Sequence, residues 1–409
     1  MSRVVEAVCP ARLGKGFRSL LTAAWISNVG DGISLAAGPL LIASQTRQPL
    51  FVALGALLQR LPWLLFGLHA GVVADRHDRR LIVVTADLLR AGVLAVLSLA
   101  IFLDSVNVAV VLVAMFTLGT TEVFSDVTTS TLMPMLVEPG DLGVANARLI
   151  FGSITANQLA GPPIGAALFA AGRAFPFVSQ ATFVALGAML VSRIVLPALG
   201  HVRSAAPGRQ QIAEGVRWLW AHAPVRTLTI TIVSFNVTFG AAWSVLVLYS
   251  RERLGLGAIG FGVLTAMSAV GGAVGSWSYR RIERKVSLAD IMRIGLIIET
   301  LTHLTLAVTT IPAVAMLTLF VFGIHASVWG TTATSVRQRV VPIEFQGRVG
   351  SVYMMGVHGG IVVGAAFGGL IASRWGVTGP FWFAFVGSAL ILAALWRQLG
   401  YIAHAEPRV

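Results

Sequence analysis

The chain has 409 residues, of which 56% are apolar and 11% charged, with a mean hydropathy of +0.82. A soluble domain carries about 25% charged residues, so this composition excludes a water-covered globule and points to a surface that faces lipid. The net charge of +13 would suggest a nucleic-acid partner in a soluble protein, but here the basic residues cluster between apolar segments, which makes the charge a topology signal and argues against nucleic acid.

Residues 1–16 hold charges and no apolar core of useful length, so no cleavable signal peptide is expected, and a single cysteine, Cys9, leaves no disulfide framework. Twelve membrane-length segments follow, near 17–45, 50–73, 81–103, 107–132, 146–171, 176–199, 226–250, 259–279, 290–310, 313–336, 348–372 and 377–399. Helices are the spanning form open to them, because lipid cannot satisfy backbone polar groups. An even number of spans puts both termini on one side. That side collects most of the basic residues, among them Lys15, Arg18, Arg76, Arg79, Arg80, Arg280, Arg281, Arg284 and Lys285. The other side holds only Arg47, Arg173, Arg251, Arg253 and Arg374, so the basic side is expected to be cytoplasmic.

Segment 1 carries Trp25 and, near its middle, Asp31 in the run Asn28-Val29-Gly30-Asp31-Gly32. Segment 2 carries Arg60 at similar depth. Ionisable groups inside a membrane are costly and mark functional sites. Asp31 and Arg60 are therefore candidates for proton coupling, with a permanent structural pair as the alternative. Between segments 2 and 3 stands Gly71-Val-Val-Ala-Asp75-Arg76-His77-Asp78-Arg79-Arg80, a charged loop opened by glycine. Gly71 is expected to end its helix where backbones approach closely, and Asp75 and Arg79 have the spacing of a local ion pair. Segment 3 holds Asp87 and Arg90, read as a structural pair. Segment 4 holds Glu122 and, one turn on, Asp126. Two stacked carboxyls make Glu122 a second candidate proton site.

The Gly71 decapeptide resembles the loop between helices 2 and 3 of the major facilitator superfamily, G-x-L-x-D-R-x-G-R-R/K, and departs from it where Asp78 replaces a glycine. The resemblance implies an all-α membrane protein of twelve transmembrane helices in two pseudo-symmetric six-helix halves. It further implies that Gly71, Asp75, Arg76, Arg79 and Arg80 form a cytoplasmic latch with an acid at the end of helix 4, here Asp126. The first and fourth helices of each half would line a central cavity, and the third and sixth would lie outside. Gly161-Pro162-Pro163-Ile164-Gly165-Ala166 in segment 5 resembles the antiporter motif G-P-x-x-G-G, with Ala166 in place of the last glycine. That favours export; an ordinary packing face is the alternative reading of Gly161, Pro162 and Gly165.

An internal repeat supports the two halves. Residues 128–166 and 331–369 align at a constant offset of 203, pairing Thr128, Thr129 and Thr131 with Thr331, Thr332 and Thr334. Pro139 pairs with Pro342 and Asp141 with Glu344, and further on Gly161 and Gly165 pair with Gly364 and Gly368. The expected division is 1–199, 200–226 and 227–409. In the connecting stretch Ile212, Val216 and Leu219 share one helical face, which suits a helix lying in the cytoplasmic interface or, alternatively, a solvated linker.

The second half has no acid on helices 7 or 10. Helix 7 offers Phe235, Asn236, Phe239 and Trp243, and helix 10 offers His325 and Trp329. With Trp25 these are candidate contacts for an amphiphilic ligand, with helix packing as the alternative. Glu299 and His303 on helix 9 read as a local pair. No nucleotide-binding loop, hydrolase motif or metal-spaced His/Cys set is present, so no enzyme and no cofactor is expected. The expectation is a monomeric proton-coupled exporter of the bacterial cytoplasmic membrane that moves an amphiphilic organic molecule and meets lipid on its outside. It looks closest to siderophore and macrolide exporters. A nutrient importer and a lipid-handling flippase are the alternatives, and a membrane sensor is disfavoured.

Overall fold

The computed structural model describes residues 11–138, 141–195, 208–342 and 345–402. Cys9, Pro139, Glu344 and residues 200–207 of the connecting stretch lie outside the described residues. So does the side chain of Asp75, on which the proposed local pair with Arg79 depends.

Helices account for nearly all of the described chain. They are α1 Gly14–Gln45, α2 Pro49–Arg76, α3 Arg79–Phe102 and α4 Val108–Leu132. Next comes α5, built from Leu142–Gly152, a π-helical stretch Ser153–Ala160, and Gly161–Ala171. After it comes α6, Phe175–Ser192. A linker helix, Gly208–Ala221, leads into α7, Ala223–Trp243, which Leu246–Glu252 prolongs. The last five are α8 Ala258–Glu283, α9 Leu288–Val308, α10 Pro312–Val340, α11 Gln346–Trp375 and α12 Gly379–Ile402. Eleven of the described helices are long and apolar enough to cross a membrane. The expected fifth span is α5, divided by its wider central turns. Pro162 and Pro163 explain that division: neither has an N–H, and their rings crowd the carbonyls one turn back, so the α ladder cannot run through.

The starts of several helices are written locally. Asp78 caps α3, accepting from the backbone N–H of Arg80 at 2.9 Å and of Leu81 at 3.4 Å. The residue that departs from the loop motif thus opens the next helix. Asn107 caps α4 through the Val110 N–H, and Ser287 caps α9 through the Asp290 N–H. Gly71 behaves differently from its expected role. Helix α2 runs past it to Arg76, and a Cβ on Gly71 would meet no atom within 4 Å. Its helical backbone needs neither a tight turn nor a close approach.

The chain forms two compact units. One draws on Met1–Gln45 and Leu65–Ala205, the other on Thr46–Leu64 and Ala206–Val409, so the first half of α2 belongs with the second unit. In the first, α1 packs on α5 and α6, and α3 packs on α4 and α6. In the second, α7 packs on α11 and α12, and α9 packs on α10 and α12. The same pairings recur in each, as the internal repeat requires. The linker helix belongs to the second unit and lies against the start of α11. Leu219 joins a buried cluster with Val225, Val341 and Val349, and Glu214 pairs with Arg348 at 2.7 Å.

Small residues set the tightest contacts. A Cβ on Gly161 would collide with the backbone of Gly32, and one on Gly165 would lie 2.8 Å from Ile33 Cα. Their repeat mates do the same work, since a Cβ on Gly364 would lie 3.0 Å from Gly240 Cα. Backbone cannot give way as a side-chain tip can. Gly165→Leu is therefore expected to destabilise the purified protein by about 1–3 kcal/mol, read as a lower unfolding midpoint in detergent. A variant that unfolds with the wild type would refute this contact.

Candidate functional site

The polar centre of the first unit is Arg90 of α3. Its guanidinium donates to the Asp31 carboxylate of α1, and the Arg90 side chain is 5% exposed against 19% for Asp31. Gln180 of α6 donates to the same Asp31 oxygen at 3.4 Å, and Ser34 donates to the Gln180 amide oxygen. Three further carboxyls, Asp87, Glu122 and Asp126, lie within electrostatic reach of Arg90. The Ser125 hydroxyl hydrogen-bonds Asp87. Asp87 is buried, Glu122 half-buried and Asp126 exposed. The site is thus one guanidinium among four carboxyls drawn from α1, α3 and α4.

This arrangement corrects two expectations. Asp31 is paired with Arg90, and Arg60 lies in the other unit, where its charge acts on His358. The His358 ring stacks on Trp63 with centroids 5.0 Å apart. Equal depth along two helices fixes height, and the facing direction of each residue decided the partner. Arg90 in turn serves α1 as well as its neighbour Asp87, so the outer-helix pair belongs to the same network as Asp31.

The motif after α2 is fastened to helix ends. Arg79 Nε donates to the Ala74 carbonyl at 3.2 Å, and its Nη1 lies 2.8 Å from Met135 Sδ just beyond α4. Arg80 donates to the Ile194 carbonyl at the end of α6 and pairs with Asp78 at 3.6 Å. Arg76 is exposed. Trp25 ties α1 to α5: its indole N–H donates to the Arg148 carbonyl at 3.3 Å, and its ring lies 5.8 Å from that of Phe151. Gly161, Pro162 and Gly165 are buried, with Gly161 against Gly32 and Gly165 against Ile33 of α1, the two residues that follow Asp31.

In the second unit the expected ligand contacts divide into two groups. Phe239 and Trp243 of α7 stack at 4.3 Å, and both meet Phe322 of α10, which also touches the His325 ring edge-on. Phe322 was not distinguishable from other apolar residues in the sequence. Phe235 and Trp329 instead sit in the hydrophobic core with Leu228, Met292 and Leu296. The Asn236 amide nitrogen is buried with no hydrogen-bond partner among the described residues. Glu299 meets His325 across the α9–α10 contact at 3.4 Å and leaves His303, the partner expected on its own helix.

Comparison with known proteins decides the family. The sequence profile described as transmembrane secretion effector matches residues 7–404. The chain belongs to this family of major facilitator transporters. It is a multi-pass membrane transporter and not an enzyme. Among its relatives is the multidrug efflux pump Tap of Mycolicibacterium fortuitum, 26% identical over 95% of both chains. Macrolide efflux protein A of Streptococcus pyogenes is 23% identical over 87% of this chain and 88% of its own. Solved structures share the fold. A bacterial homologue of the iron transporter ferroportin superposes with a TM-score of 0.71 at 15% identity, covering 95% of this chain and 98% of that one. The nucleoside transporter NupG gives 0.70 at 10% identity, covering 95% and 99%.

Proposed function

We propose that this transporter exports an amphiphilic organic molecule across the bacterial cytoplasmic membrane in exchange for protons, with both termini cytoplasmic. The observation that carries the proton part is the Asp31–Arg90 pair with Glu122 and Asp126 close by. An excess of carboxyls over cations inside a bundle can take up and release protons while its single guanidinium stays paired. Asp31 is the principal carrier and Glu122 the second. The names of the efflux relatives support export of a drug-like molecule, as does the G-P-x-x-G motif packed beside Asp31. Phe239, Trp243, Phe322 and His325 offer adaptable aromatic area for such a cargo. The two halves, 1–199 and 227–409, work by alternating access, as a monomer. The latch is the Gly71–Arg80 segment, whose Arg79 already grips the end of α4.

The test uses proteoliposomes and two probes, the amphiphilic cation ethidium and the macrolide erythromycin. Transport of at least one probe should follow an imposed pH gradient and collapse when a protonophore dissipates it. Transport of neither, or transport indifferent to the protonophore, would overturn this reading.

A further inference from the structure

The second unit holds a buried titratable cluster that the acidic site of the first unit does not use. Extending the 203-residue offset of the repeat back along α10 pairs His325 with Glu122 and Trp329 with Asp126. Matching the caps Asp78 and Ser287 at the starts of α3 and α9 pairs Glu299 with Arg90. The cation that α3 directs at Asp31 of α1, within electrostatic reach of Glu122 and Asp126 on α4, is therefore replaced by an acid on α9 facing a histidine on α10. The geometry is made: His325 Nε2 lies 3.4 Å from Glu299 Oε2. A Cβ on Gly295 would fall 2.7 Å from His325 Nδ1, so glycine leaves room for the ring. His325, Glu299 and His303 are all buried.

Within this cluster several polar atoms are unused. His325 Nδ1 and both ring nitrogens of His303 have no hydrogen-bond partner among the described residues. Buried polar atoms are normally paired, and an unpaired set beside a carboxylate needs a reason. With Nε2–H directed at Glu299, His325 Nδ1 carries a free lone pair that can take a proton. Other charges stand apart. Arg337 is twelve residues along α10 from His325, about 18 Å of helix, and stacks on Tyr353. On α7 the charged residue is Arg226, held by the Trp220 carbonyl. On α8 the titratable residues begin at Tyr279, whose hydroxyl meets Thr332, and continue through Arg280, Arg281 and Glu283 at the helix end. Arg397 lies near the end of α12, and α9 itself adds Asp290 and Arg293, which pair with each other near its start. The charged groups facing His325 are thus Glu299 and, when protonated, His303.

We infer that Glu299, His325 and His303 form a second proton-binding site, the charge-reversed counterpart of the Asp31–Arg90 cluster. It rests on the proton-coupled reading and deepens it, because transport then moves one proton more per cargo than the acidic site alone provides. Binding adds a proton to His325 Nδ1, giving an imidazolium paired with the Glu299 carboxylate; release restores the neutral ring. His303, buried one turn along α9 from Glu299 and within electrostatic reach of His325, completes the cluster.

Two measurements test it on the full chain. The first needs no cargo. In protein labelled with 15N-histidine and held in lipid nanodiscs, the His325 signal, assigned by its loss in His325→Gln, should move between neutral and charged imidazole shifts from about pH 5 to about pH 9. Glu299→Gln should displace that transition. A His325 signal fixed over the range overturns the proposal. The second reads the steady ethidium gradient held by proteoliposomes at zero membrane potential under one pH unit. Losing one coupled proton should lower that gradient about tenfold in both His325→Gln and Glu299→Gln. Wild-type gradients in both variants overturn the second site alone. A wild-type gradient that ignores pH overturns the proton-coupled reading beneath it.

Discussion

Asp31→Asn is expected to abolish pH-driven efflux, by about a hundredfold or more, while ethidium still binds. The amide is nearly the same size as the carboxyl. Its oxygen can still accept from Arg90 and from Gln180, so α1, α3 and α6 stay connected. What it loses is the exchangeable proton. Glu122→Gln should give a milder version, since Glu122 acts on the cluster from α4 without the direct pair. The assay is efflux from proteoliposomes under an imposed pH gradient, with ethidium binding measured on the same preparation. Undiminished driven efflux would remove Asp31 as carrier and pass the role to Glu122. Loss of binding together with efflux would make Asp31 a structural or cargo-contacting residue.

The second large effect is on stability. Arg90→Leu should cost about 3–5 kcal/mol, because it leaves buried Asp87 and half-buried Asp31 beside an apolar side chain with no cation. Deleting both partners is cheaper than deleting one. Arg90→Leu combined with Asp31→Asn should therefore regain part of the loss, while efflux stays absent in both. Unfolding midpoints of the purified variants in detergent decide this. A single variant as stable as the wild type would show that Arg90 is not the counter-charge of the site. A double variant no better than the single one would place the damage in packing.

The spans, their order and the duplicated halves were legible because lipid imposes length and hydropathy on every crossing segment. The acids were legible for the same reason: Asp31, Glu122 and Asp126 stand out in apolar surroundings. Their partner was not. Arg60 matched Asp31 in depth, but depth says nothing of which way a side chain points around its helix axis. Arg90 was passed over because the resemblance set helix 3 outside the cavity, and a residue on an outer helix can still face inward. Glu299 was given to His303 by its four-residue spacing, and the contact between α9 and α10 overruled that local choice. Phe322 carried no signal of its own, being one phenylalanine in an apolar helix. The interruption of α5 did have a signal, the consecutive Pro162 and Pro163, which was read only as part of the export motif.

The π-helical stretch of α5 breaks the angular register between its two ends. Residues three or four apart share a face only while the winding is constant, so the Leu142–Gly152 rod and the Gly161–Ala171 rod do not share a common stripe. Gly161, Pro162, Gly165 and Ala166 turn inward on one rod, while Ile150 and Phe151 at the end of the other are exposed. Helix α11, its repeat mate, is described as one unbroken helix over Gln346–Trp375. The duplicated halves thus differ by a dislocation in one rod, and a helical wheel drawn through Ser153–Ala160 would assign half of α5 to the wrong side.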